Sequence, residues 1–295
     1  MNEKLRRSLM ALLAAIFVVS TALAIGSSMD KEKAEESYLQ AQQVAGLNGV
    51  EQKEENIVAA EDPDLTEETV ETIPAETEPQ TMWVPAKVEE DEYMAKLADV
   101  DLSALRAVNP DVVGWIFIPG SKVNYPIVQG EDNQYYLEHT WDGQKNSAGS
   151  IFLEASNGAD FKDCRSILYG HNMADMSMFA ILHNYANIYY VKTFPYVYLV
   201  TDEGVLRYEI YSTYKAAVDS KTYALGLGQR IMASFIKMTL DESELDLGII
   251  PAETDRILTL STCTGNYENR RVVHARLVME EVEIKNDSLQ EENLQ

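Results

Sequence analysis

Cysteine is almost missing from this chain: 295 residues hold two, Cys164 and Cys263. A disulfide framework is therefore excluded as the source of stability, and a single bridge is the most the chain can form. Histidine is nearly as scarce, with four residues, and no Cys/His group has zinc-site spacing. Positive charge is short as well. Twenty-four Lys and Arg stand against 48 Asp and Glu, for a formal net charge of −24, which argues against a nucleic-acid partner. The sequence has no glycine-rich phosphate loop and no internal repeat, so P-loop enzymes and solenoids drop out. Acidic pairs are abundant, but none has diagnostic spacing, and no metal or cofactor is expected.

What is present begins with a targeting segment. Lys4, Arg6 and Arg7 precede Leu9 to Ile25, an uncharged, mostly apolar run near the lower length limit of a membrane-spanning helix. Ala22-Leu23-Ala24 fits a cleavage site that would release the protein. We adopt the other reading, an uncleaved anchor over 1–29 with its basic end inside. The expected localisation is the cell membrane, single-pass, with the remainder extracytoplasmic. From residue 30 to 90 acids far outnumber bases, aromatics are scarce, and Pro74, Pro79 and Pro85 interrupt the chain. Such a stretch buries too little to fold alone and reads as an extended acidic stalk, with a local helix allowed over Lys31–Ala45. A folded domain is expected over 91–280 and an acidic tail over 281–295.

Within that domain Asp91 to Ala107 alternates apolar and charged residues at helical spacing and stops at Asn109-Pro110. Short strands follow: Val112–Ile118, Val123–Val128, Ser150–Leu153 and Arg165–Tyr169. Met176–Tyr185 reads as a short amphipathic helix. Tyr196–Val200 and Val205–Tyr214 flank the turn Thr201-Asp202-Glu203-Gly204, and a helix is expected over Gly228–Leu240. Leu258–Cys263 and the stretch from Arg270 close the series. Many short strands with a few helices predict a mainly β fold, a barrel with helical decoration.

The chemistry concentrates at Cys263, which ends an aliphatic strand beside the polar turn Thr264–Asn269. A lone cysteine is most often a buried structural residue. An exported protein that keeps a free thiol, however, suggests a nucleophile. A thiol of ordinary pKa needs a base, and histidine is the usual one. His171 follows a strand and Gly170, in a loop with Asn172. His139, His183 and His274 read as surface or satisfied core residues. An arginine beside the thiolate could hold an oxyanion. Together Cys, His and Arg support acyl transfer through a thioester, although spacing alone does not bring the three together.

Seven stretches carry a family resemblance: Asn109–Ile116, Tyr125–Gly130, Asp132–Leu137, Gly149–Phe152, Tyr169–Met173, Ser177–Phe179 and Thr259–Cys263. In this order they resemble a class B sortase from about Leu97 to Val278. The resemblance implies an eight-stranded sortase barrel with N-terminal helices and a helix-bearing insertion before the cysteine strand. It implies a cysteine transpeptidase on a Gram-positive cell surface. Cys263 would form a thioester with the threonine of a C-terminal sorting signal. His171 would shuttle protons, and an arginine would steady the oxyanion. Family spacing to Val272 and Ala275 favours Arg270 for that role, and strand alternation sends Arg271 to the opposite face. The implied substrate groove contains Asn133, Leu137, Tyr169, Ser261 and, by a looser match, Tyr223. Thr264 departs from relatives that carry an acid there.

The implied partners are a surface protein or pilin bearing the sorting signal and an amine of a peptidoglycan precursor or pilin. Two other readings use the same residues. One is a cysteine peptidase that passes the acyl group to water. The other is a non-catalytic binding barrel, which would have no need of all three residues. A regulatory bridge between Cys164 and Cys263 is a further reading of the cysteine pair.

Overall fold

The computed structural model describes residues 26, 28–47, 81–85, 91–263 and 268–283. Its first helix, α1 (28–44), covers the local helix allowed over Lys31–Ala45. Strand β1 (Thr81–Pro85) comes next. Then α2 (Glu92–Leu97) and α3 (Leu102–Val108) fill the helical stretch expected from Asp91. Both start on an aspartate that caps backbone N–H groups, Asp91 for Tyr93 and Met94, and Asp101 for Ala104.

Eight strands form a closed barrel. They are β2 (Val112–Phe117), β3 (Asn124–Val128), β4 (Ile151–Leu153), β5 (Arg165–Tyr169), β6 (Tyr196–Thr201), β7 (Gly204–Ala217), β8 (Ile257–Cys263) and β9 (Asn269–Leu277). Around the barrel the order is β2-β3-β4-β5-β8-β9-β7-β6, with β6 returning to β2. The pairs β3/β4 and β5/β8 are parallel and the others antiparallel. Closure leaves these eight strands without an edge. The fold class and strand number agree with the expectation.

Helices cover the barrel, so several strands are buried on both faces. All five residues of β3 are buried, which explains continuous apolar runs where a half-exposed strand would alternate. A 3-10 segment, Ala180–Ala186, replaces most of the helix expected over Met176–Tyr185 and runs on to α4 (Ile188–Thr193). The helix expected over Gly228–Leu240 is α5 (Gln229–Asp241), which packs on β7.

Helix α1 is no free spacer. Ala34, Ser37, Tyr38, Ala41 and Ala45 are buried. Tyr38 donates to Gly149 O at 2.5 Å, and Trp141 Nε1 donates to Ser37 O at 3.0 Å. Asn146 Nδ2 donates to Asp30 O at 2.7 Å. The opening of the expected stalk is thus packed on the barrel. β1 pairs antiparallel with β10 (Met279–Glu283), so backbone pairing also reaches the expected stalk and tail. The expected anchor over Leu9–Ile25 lies outside the described residues. Among the described residues no helix is long and apolar enough to cross a membrane.

Candidate active site

Parallel strands β5 and β8 deliver the chemistry to one rim. Tyr169 at the end of β5 is in register with Ser261, and Gly170 N donates to Ser261 O at 3.2 Å. β8 runs two residues further to Cys263, whose antiparallel partner on β9 is Arg270. The residue after Gly170 is His171. The fold therefore brings the three residues of the expected triad to neighbouring strand ends, which spacing alone could not do.

Gly170 is needed for packing. A Cβ there would meet Ile151 Cδ1 at 2.5 Å and the Phe179 ring at 2.8 Å. Gly149 is needed twice over, because its φ is +59° and a Cβ would meet Leu137 O at 2.7 Å and His171 Cδ2 at 2.9 Å. His171 Nε2 lies 2.7 Å from Leu137 O. A carbonyl oxygen only accepts, so in the neutral ring Nε2 carries the hydrogen and Nδ1 keeps its lone pair.

Alternation along β9 separates the two arginines. Arg270 lines the cavity at this rim, and its Nη1 donates to Asn269 O at 3.2 Å. Arg271 is 3% exposed and pairs through Nη1 with Glu244 at 2.7 Å. The cavity, about 350 Å³, is lined by all five expected groove residues, Asn133, Leu137, Tyr169, Ser261 and Tyr223, together with His171 and Arg270. Leu137, Val218 and Leu225 are exposed at it and give it an apolar character. The Tyr223 hydroxyl lies 2.9 Å from Ser261 Oγ, and its ring stacks at 6.5 Å on Tyr169.

Two groups that sequence reasoning missed support this groove. Glu154 is buried and accepts from Asn133 Nδ2 at 2.8 Å and from the Tyr169 hydroxyl at 2.9 Å. Burial, then the Glu154 charge, push the Tyr169 phenol well above its ordinary pKa. Arg165, also buried, donates to Thr222 O and Ala224 O and lies 4.8 Å from the centre of the Phe235 ring of α5. It clamps the short turn Lys221–Tyr223 that presents Tyr223. A charged residue opening or closing an otherwise apolar barrel strand was the available signal for both.

The remaining histidines are accounted for. His274 is fully buried between Thr259 and Tyr214 hydroxyls, and burial lowers its pKa to about 3. His139 stacks on Tyr135 at 3.9 Å, and His183 lies in the 3-10 segment. Cys164 precedes Arg165, the partner of Ile257 at the start of β8. Cys263 ends that strand, roughly 20 Å away at strand rise. A bridge needs Cα atoms within about 7 Å, so the two cysteines cannot pair. Thr264 lies outside the described residues. Among the described residues no cluster could hold a metal ion.

Comparison with known proteins gives the family of the chain. A family model for the Sortase domain matches residues 116–278. Sortase B of Listeria monocytogenes is 34% identical over 187 residues, covering 60% of this chain and 74% of that protein. Sortase B of Staphylococcus aureus in complex with substrate superposes with a TM-score of 0.57 at 28% identity, covering 60% of this chain and 83% of that one. Clostridium perfringens sortase B gives a TM-score of 0.57 at 30% identity, covering 60% of this chain and all of that one. The fold alone extends further. Sortase B of B. anthracis matches 84% of this chain with a TM-score of 0.63 at 24% identity. The chain belongs to the sortase family. Within it this is a class B enzyme, a cysteine transpeptidase.

Proposed function

We propose that Cys263, His171 and Arg270 carry the transpeptidase reaction, and that the groove from Asn133 to Tyr223 receives the sorting signal. The observation that carries this reading is the register of Cys263 with Arg270 at the rim where β5 delivers His171. In it the Cys263 thiolate, its proton held by His171, adds to the carbonyl carbon of the signal's threonine. Arg270 stabilises the developing oxyanion. The peptide nitrogen leaves with the proton from His171, and a thioester remains. An incoming amine gives its proton to His171 and takes the acyl group, which frees the thiolate.

Sortases act at the cell surface. For this chain the anchor over Leu9–Ile25 would hold the enzyme there. The substrate-bound S. aureus sortase B supports a peptide as ligand. The acceptor is an amine of a peptidoglycan precursor or of a pilin. Incubating the protein with an Asn-Pro-x-Thr peptide, the sorting motif that the resemblance to class B sortases leads one to expect, with and without an aminated acceptor, tests this reading. A ligated product that grows with acceptor concentration supports transfer. Hydrolysis alone, at every acceptor concentration, supports the peptidase reading instead.

A further inference from the structure

The geometry points to Glu154 as a positioning residue that sets the hydrogen-bond polarity of the groove, so that it receives a neutral amide of the substrate. This rests on the peptide-transfer reading above. Glu154 follows β4 and is 4% exposed. A carboxylate so buried needs several donors, and a cation is the common solution. Its hydrogen-bond partners here are all neutral. Oε1 accepts from Ser156 N at 3.3 Å and Ser156 Oγ at 3.2 Å, and Oε2 accepts from Asn133 Nδ2 and from the Tyr169 hydroxyl. With four donors its capacity is filled, so it has nothing left to offer a substrate directly.

What it does instead is orient its partners. Asn133 Oδ1 accepts from Ala155 N at 2.8 Å. A backbone N–H only donates and the carboxylate only accepts, so the Asn133 amide has one permitted orientation. One Nδ2 hydrogen goes to Glu154, and the other remains for the cavity. Tyr169 has a single hydroxyl hydrogen and gives it to Glu154, so toward the cavity the hydroxyl offers lone pairs. Both groups line the groove and bond the same oxygen, which makes them close neighbours. The groove therefore shows one fixed donor and one fixed acceptor. Their complement is an amide, with its carbonyl toward Asn133 and its N–H toward Tyr169. A carboxylate in that place would lose the second bond and face the Glu154 charge.

Glu154→Gln keeps the shape but has one accepting oxygen and two competing hydrogens, so Asn133 or Tyr169 must turn. With the full chain and an Asn-Pro-x-Thr peptide, we expect KM to rise about tenfold with kcat nearly unchanged. Preference for that peptide over its Asn→Asp analogue should fall. Alkylation of Cys263 by iodoacetamide should keep the wild-type rate, which separates a groove effect from a damaged centre. In Asn133→Ala/Glu154→Gln the effects on KM should not multiply, because one acts through the other. Glu154→Asp, which keeps the charge, should recover part of the loss. Unchanged KM and preference in a folded Gln variant, or KM effects that multiply, would overturn the inference. A Gln variant that fails to fold, with Asp no better than wild type lacking Asn133, would do the same. A wild-type protein that acylates with no peptide removes the transpeptidase reading itself, and this inference with it.

Discussion

At the residue scale the two adjacent arginines give the sharpest contrast. Arg270 lines the groove, whereas Arg271 is buried against Glu244. Arg270→Ala should therefore leave the melting temperature almost unchanged and slow acylation by about a hundredfold or more, the usual cost of an oxyanion donor. Arg271→Ala should do the reverse. It removes a buried cation whose partner can turn to water, so a loss of about 1–3 kcal/mol of stability is expected in denaturant unfolding, with acylation per folded molecule preserved. In the sequence, the family spacing to Val272 and Ala275 favoured Arg270, and strand alternation put Arg271 on the opposite face. For Glu154 the sequence offered only a charge closing an apolar strand; its role was not legible, because that role lies in partners 15 and 21 residues away.

At the scale of elements, strands β5 and β8 were readable because β-branched and aliphatic runs end at glycine or a polar turn. Their parallel pairing was not, since 87 residues (170–256) separate the end of β5 at Tyr169 from the start of β8 at Ile257 and no local signal spans them. Helix α4 was missed for a different reason. Ile188-Tyr189-Tyr190-Val191 has strand composition, but the Asn187 side chain caps Tyr189 N and starts a helix. The segment Lys221–Tyr223 is a single 3-10 turn with no side-chain cap, and the Arg165 clamp holds it. Arg165→Met should keep the stem's bulk and lose both carbonyl bonds. Faster amide hydrogen exchange around 221–224 and a raised KM for the peptide are expected, with alkylation of Cys263 unaffected. Unchanged exchange there would show that the turn holds itself.

At the scale of the whole molecule, α1 was read into the acidic stalk because its buried face is small: Ala34, Ser37, Ala41 and Ala45 around one large residue, Tyr38. Alanines at helical spacing carry little apolar signal, yet they let the helix approach the barrel closely. Acid sensitivity also belongs to this scale. His274 is buried as the neutral ring, with its pKa lowered from 6.5 to about 3. The unfolded chain therefore takes up a proton in that interval and the folded one does not. Stability should fall by about 1.4 kcal/mol for each pH unit between 6.5 and 3 from this group alone. Comparing denaturant unfolding of wild type and His274→Gln over this range isolates the contribution, and curves of equal slope would show that the buried ring titrates normally.

The central claim is that one rim of the barrel forms a thioester on Cys263 with the help of Arg270. Intact-protein mass spectrometry after mixing with an Asn-Pro-x-Thr peptide tests it most directly. The expected result is an acyl adduct that hydroxylamine removes, absent in Cys263→Ala, slow to form in Arg270→Ala and formed normally in folded Arg271→Ala. An adduct that persists in Cys263→Ala, or that forms at the wild-type rate in Arg270→Ala, would contradict it.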